Sequence, residues 1–158
     1  MSTPEKSMEN YDHYISHLFA PEDAALQATR AAMQQEGLPG INVSASGGQL
    51  LHLLALMSGA KRILEIGTLG GYSAIWLARA LPADGKLISL ELNEHHADVA
   101  RHNLAQAGLA TKVEVRVGPA LATLAAMEQA GEAPFDLVFI DADKDGYVAY
   151  LQLSLIHI

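Results

Sequence analysis

Cysteine is absent from the 158 residues. No disulfide framework, thiolate zinc site or cysteine nucleophile can therefore be built, and a reducing, cytoplasmic compartment is the expectation. Basic side chains are scarce, with 10 Lys and Arg against 18 Asp and Glu and a formal net charge of −8. That balance offers no broad attraction to nucleic acid or to an anionic membrane surface. No apolar run approaches the roughly 20 residues of a membrane-spanning helix. The first residues carry Glu5, Glu9 and Asp12, where a secretory leader needs a basic start and an apolar core. What is present is 50% apolar and only 18% charged, the composition of a packed globular chain of one-domain length.

Ser2 to about Tyr14 is polar and without period, and Asp12 to Gln35 reads mostly as helix, restarted where Pro21 is followed by Glu22 and Asp23. Leu26, Thr29, Ala32 and Met33 give this helix one apolar side. Gly37, Pro39 and Gly40 break it, and Ser44 to Gly48 reads as a second polar hinge. Gln49 to Ser58 is apolar nearly all round, as a buried helix would be, with Gly59 as its stop. Short apolar runs then alternate with helical stretches. Arg62–Ile66, Lys86–Leu92, Lys112–Val117 and Phe135–Asp141 read as strands. Tyr72–Leu81, Asn93–Ala107, Pro119–Ala130 and Lys144–Leu153 read as helices. Units of this kind need crossover connections, so the expected class is α/β, a doubly wound, mostly parallel sheet. Residues 1–40 form an N-terminal helical arm and 41–153 the main domain. A further helix and strand are expected after the fourth strand, and 154–158 resemble a foreign tail, so the domain reads as truncated.

Ligands of doubly wound sheets sit at the carboxyl ends of the strands. The first strand ends in Glu65-Ile66-Gly67-Thr68-Leu69-Gly70-Gly71-Tyr72-Ser73. This glycine-rich turn is either a mere tight turn or a place where backbone amides meet a ligand. Glu91 ends the second strand 26 residues beyond Glu65, where a carboxylate is either solvated or accepts both ribose hydroxyls. The glycines lack the G-x-G-x-x-G spacing, and an acid two residues before the first would face a pyrophosphate badly. This disfavours NAD and favours a ligand with a positive or zwitterionic end, such as S-adenosylmethionine. Asp141-Ala142-Asp143-Lys144-Asp145 offers hard oxygen ligands for a divalent ion or an acidic helix cap. His13 and His17 lie one helical turn apart without an evident third ligand. His95 and His96 read as solvated, Trp76 as core, and Tyr11 and Tyr14 as either acceptor contacts or helix packing.

Gln49-Leu50-Leu51, Ala60 to Thr68, Gly71-Tyr72-Ser73, Val117-Gly118-Pro119-Ala120 and Phe139 to Lys144, in this order, resemble the cation-dependent O-methyltransferases, the family of caffeoyl-CoA and catechol O-methyltransferases. The resemblance runs from about Gly40 to Leu153. It implies a Rossmann-like methyltransferase fold with its last strands missing. It also implies that Val43, Glu65, Gly67, Thr68, Ser73, Glu91, Ala120 and Asp143 surround S-adenosylmethionine, with Glu65 at the amino group and Glu91 at the ribose. Asp141 corresponds to a metal ligand near the acceptor, for Mg2+ first and Ca2+ or Mn2+ as alternatives, and Lys144 to the base that takes the hydroxyl proton. The implied partners are a small catechol-like or hydroxycinnamoyl acceptor and a second copy in a homodimer. The family's Asp-Asn pair that completes the metal site has no counterpart after Asp145. A nucleotide-binding oxidoreductase and a non-catalytic cofactor-binding relative are the alternatives.

Overall fold

The computed structural model describes residues 11 and 14–157. Residues 1–10 of the expected arm, Asp12, His13 with its pairing to His17, and Ile158 lie outside the described residues. A helical stretch at 14–19 (α1) precedes α2 (Ala24–Gln35) and α3 (Ala45–Met57). Then follow β1 (Arg62–Ile66), α4 (Tyr72–Ala80), β2 (Lys86–Glu91), α5 (Glu94–Gln106), β3 (Val113–Val117), α6 (Ala120–Gln129) and β4 (Leu137–Ile140). A single 3-10 turn (Lys144–Gly146) leads into α7 (Tyr147–Ile156). Side-chain caps set the helix starts. Asp23 accepts the Leu26 N–H, Ser44 that of Gly47, and Asn93 those of His95 and His96.

The described strands form one sheet in the order β3-β2-β1-β4, with every pairing parallel. Alternation along the strands builds two cores. Ile63, Leu87 and Val115 pack under α2, α4 and α5, while Leu64, Ile66, Ile88 and Leu90 pack on the opposite face with Leu124 and Met127 of α6. The expected doubly wound α/β class is therefore realised. β4 is shorter than the expected Phe135–Asp141 because its entry is used as a clamp. The Asp136 carboxylate accepts the Lys61 and Arg62 N–H groups at 2.7 and 2.8 Å, and those bonds hold its pKa below the usual value. Residues 154–157 carry α7 to its end, where the His157 carbonyl accepts the Phe135 N–H. Among the described residues no helix is long and apolar enough to cross a membrane.

The expectations for 44–58 are corrected twice. Ser44 to Gly48 is the start of α3 and not a hinge, because the Ser44 hydroxyl caps it. The helix is also not buried all round. Ala45, Gly48 and Ala55 face inward, whereas Leu50, Leu53, Leu54 and Met57 form an exposed stripe at helical spacing. Small inner residues let α3 approach α4 closely enough that only a narrow face is covered. Gly48 lies against the Trp76 indole, and His52 Nδ1 is 3.0 Å from the Trp76 carbonyl oxygen. Trp76 is core, as expected.

A Cβ at Gly48 would run into the Trp76 ring. Helix propensity alone favours Gly48→Ala by about 1 kcal/mol, but overpacking of a core costs about 1–3 kcal/mol. Gly48→Ala is expected to lower the urea midpoint, and a raised midpoint contradicts the packing of α3 on Trp76.

Candidate functional site

The carboxyl ends of β1, β2 and β4 meet at the turn after β1. Gly67 has φ +96°, and a Cβ there would strike the Asp141 carbonyl, so only glycine fits between β2 and β4. Its N–H donates to the Leu90 carbonyl at 2.9 Å, and the Asp141 N–H donates to the Ile66 carbonyl at 2.8 Å. The turn closes through the Gly71 N–H to the Thr68 carbonyl, and Gly71, at φ +84°, starts α4.

Glu91 holds this turn in place. One carboxylate oxygen, Oε2, accepts the N–H groups of Thr68 (3.1 Å) and Leu69 (2.8 Å), and Oε1 accepts that of Asn93 (2.9 Å). On the other side the Asn103 side chain donates to the Gly70 carbonyl at 2.9 Å. Glu65 and Glu91 stand two positions apart in the β1–β2 register, since Glu65 pairs with Ser89, and so leave the sheet on the same face. Both carboxylates thus converge on one end of one face. Glu65 is fully enclosed and accepts the Ser73 and Ser89 hydroxyls at 2.6 and 2.5 Å. Burial, reinforced by the Asp141 and Glu91 charges, outweighs these two hydrogen bonds and pushes its pKa up to about 7.

A cavity of about 570 Å3 opens over the turn, within the roughly 300–1,000 Å3 of small-molecule sites. Val43, Gly67, Thr68, Ser73, Glu91, Ala120, Asp141 and Asp143 all line it. Two expected residues do not. Glu65 lies one layer below, behind Ser73 and Thr68, and Lys144 is exposed in the 3-10 turn outside the lining. Val43 comes from the loop before α3 and Ala120 from the start of α6, after Gly118 and Pro119. Asp143 is a cap: its carboxylate accepts the Gly146 N–H and the Tyr150 hydroxyl, and the Tyr150 bond lowers its pKa.

Sequence reasoning missed several wall residues. His96, expected to be solvated, lines the cavity with Nδ1 3.7 Å from Glu91 Oε1. Tyr72 lines it as well, and its hydroxyl donates to Glu22 Oε1 at 2.7 Å, tying the start of α2 to the site. Burial first, then that bond, raises its pKa to about 12. Asn103 and Ser89, buried behind the wall, carried a legible signal, each being a polar residue at an apolar position of its element. Tyr11 and Tyr14 are exposed and line no described cavity.

Among the described residues, the lining combines Glu91, Asp141 and Asp143 with apolar walls and includes no Lys or Arg. Its size, the close-approach turn and the carboxylate at the end of β2 suit a small polar ligand with a positive end. They do not by themselves fit a divalent cation. Among the described residues no group of three His, Cys, Asp or Glu side chains able to hold a metal comes together, and of the lining carboxylates Glu91 and Asp143 are engaged in capping bonds, which leaves Asp141 as the candidate oxygen ligand.

A family model described as O-methyltransferase matches residues 16–158. The chain belongs to the O-methyltransferase family. It is 49% identical over 147 residues to a catechol O-methyltransferase of Niastella koreensis, covering 93% of this chain and 66% of that protein. Among solved structures, an O-methyltransferase of Bacillus cereus in complex with S-adenosylhomocysteine is 44% identical. It superposes with a TM-score of 0.91 over 94% of this chain and 67% of that one. The O-methyltransferase TomG of Streptomyces achromogenes, solved with S-adenosylmethionine, is 46% identical with a TM-score of 0.93, over 99% and 70% of the two chains. The chain thus spans just under two thirds of the curated relative's length.

Glu65 ionises near 4.5 in an unfolded chain and near 7 in the fold. Between these values the folded state binds more protons, so the protonated carboxyl's contribution is full below about pH 4.5 and is lost as pH rises through about 7. Wild type is expected to lose on the order of 3 kcal/mol between about pH 5 and about pH 8 relative to Glu65→Gln. Urea unfolding at the two pH values measures this, and parallel profiles contradict it.

Proposed function

We propose that the whole protein is an S-adenosylmethionine-dependent O-methyltransferase of the cytoplasm that methylates a hydroxyl of a small catechol-like or hydroxycinnamoyl acceptor. One observation carries the donor reading: among the described residues, a small-molecule cavity at the carboxyl edge of the sheet is faced by carboxylates and by no Lys or Arg. A sulfonium donor with an ammonium group suits such a field, and a pyrophosphate does not. This weighs against the oxidoreductase alternative. The structural relatives solved with S-adenosylmethionine and S-adenosylhomocysteine support the same reading.

S-adenosylmethionine, when bound, supplies an electrophilic methyl group. In this reading Gly67 and Thr68 let the backbone approach it, Glu91 accepts a ribose hydroxyl, and Glu65, together with Ser73, answers the amino group. Glu91 Oε1 carries only the Asn93 bond and the distant His96, which leaves an oxygen lone pair for a ribose hydroxyl. Val43 and Ala120 enclose the donor from the two sides of the cavity, and Asp143 lies beside it. Asp141 faces the acceptor end, and Lys144 is the assigned acceptor of the hydroxyl proton. Holding the two reactants in line contributes much of the acceleration. A divalent cation, Mg2+ before Ca2+ or Mn2+, belongs to this proposal through Asp141 alone. The exposed Leu50, Leu53, Leu54 and Met57 stripe of α3 supports a homodimer.

Calorimetric titration of this chain is expected to show binding of S-adenosylmethionine and S-adenosylhomocysteine and none of NAD; binding of NAD alone overturns the reading. In the full-length protein, Asp141→Ala is expected to abolish stimulation of catechol methylation by Mg2+ while S-adenosylhomocysteine affinity stays within about threefold. Loss of both together assigns Asp141 a structural role instead.

A further inference from the structure

Ser89 sits in the middle of β2, a strand covered on both faces, where an apolar side chain is the rule. Its hydroxyl is fully enclosed. In the parallel register it lies beside Glu65, and it donates to Glu65 Oε2 at 2.5 Å while Ser73 donates to Oε1 at 2.6 Å. Thr68 Oγ1 is in hydrogen-bond contact with Ser89 Oγ. Because the Ser89 proton goes to Glu65, Thr68 is the donor of that pair. The members differ in what they face. Thr68 and Ser73 line the cavity; Ser89 and Glu65 do not. Ser89 therefore offers no atom to a ligand, and any effect it has on one passes through its two partners, the Glu65 carboxylate and Thr68; a route through Thr68 would add to the loss from changing Glu65.

The terminal torsion of a glutamate is broad, so a single donor leaves the carboxylate plane free to turn. One donor on each oxygen fixes it. We propose that Ser89 is a positioning residue: it anchors Oε2 from behind and so orients Oε1, the oxygen bonded to the cavity-lining Ser73, toward the amino end of the methyl donor. This rests on the S-adenosylmethionine reading of the cavity and adds to it a residue that acts on one end of the donor only. The adenosine end is held separately, by Glu91.

Two ligands separate the ends. S-adenosylhomocysteine carries the amino acid and the adenosine; 5′-methylthioadenosine carries the adenosine and a thioether but no amino acid. In calorimetric titrations of the full chain, Ser89→Ala is expected to weaken S-adenosylhomocysteine about tenfold and to leave 5′-methylthioadenosine within about twofold. Glu65→Gln is expected to show the same split, and adding Ser89→Ala to it costs nothing further, because Ser89 acts through Glu65. Ser89→Cys, of similar volume but a weak donor, repeats the test should the alanine variant fail to fold. Equal losses for the two ligands, no loss for S-adenosylhomocysteine, or additive losses in the double variant overturn the proposal. Wild-type protein that binds neither ligand overturns the cofactor reading itself, and the role of Ser89 with it.

Discussion

The Glu91 carboxylate, at the end of β2, accepts the amide protons of the turn that leaves β1. It joins the two central strands at their carboxyl ends. With Gly67 wedged between β2 and β4 and Asn103 bracing Gly70, this bond fixes the floor of the cavity. Charge-assisted hydrogen bonds to backbone amides are among the stronger polar interactions in a fold. Here they also bring an acidic oxygen to the cavity wall. The same side chain thus shapes the turn and supplies a polar contact for whatever occupies it.

Electrostatics set what that occupant can be. Glu65, Glu91 and Asp141 influence one another closely enough that the two outer charges raise the pKa of the enclosed one. Among the described residues, the lining offers no lysine or arginine to offset them. A ligand bearing positive charge relieves this repulsion, whereas an anionic one adds to it. The hydroxyls of Ser73 and Ser89 satisfy Glu65 without neutralising it, so the fold carries a buried acid whose balance a cationic ligand would improve.

The parallel sheet also explains how remote parts of the chain reach this point. α4 starts from the glycine turn, and both of its flanks are tied down. Tyr72 reaches Glu22 before α2, Arg79 pairs with Asp23 at 2.6 Å, and Trp76 packs on Gly48 of α3. The N-terminal helices are thereby fastened to the element that carries Ser73. Their outer faces, α3 in particular, keep apolar side chains in solvent.

Local chemistry made much of this legible. Strand and helix alternation, the glycines at 67, 70 and 71, and the acids at 65, 91 and 141 lie in short segments whose residue types carry their own constraints, so the α/β class followed from the sequence, and Gly67, Glu91 and Asp141 do line the cavity. Residue order alone could not rank the neighbours of those segments. Whether Glu65 faces the ligand or hides behind Ser73, whether Asp143 caps a turn, whether His96 is solvated, and how much of α3 is covered all depend on which elements pack against them. The sheet register and helix packing decide that through contacts between residues far apart in the chain, as between Glu65 and Ser89 or Gly48 and Trp76.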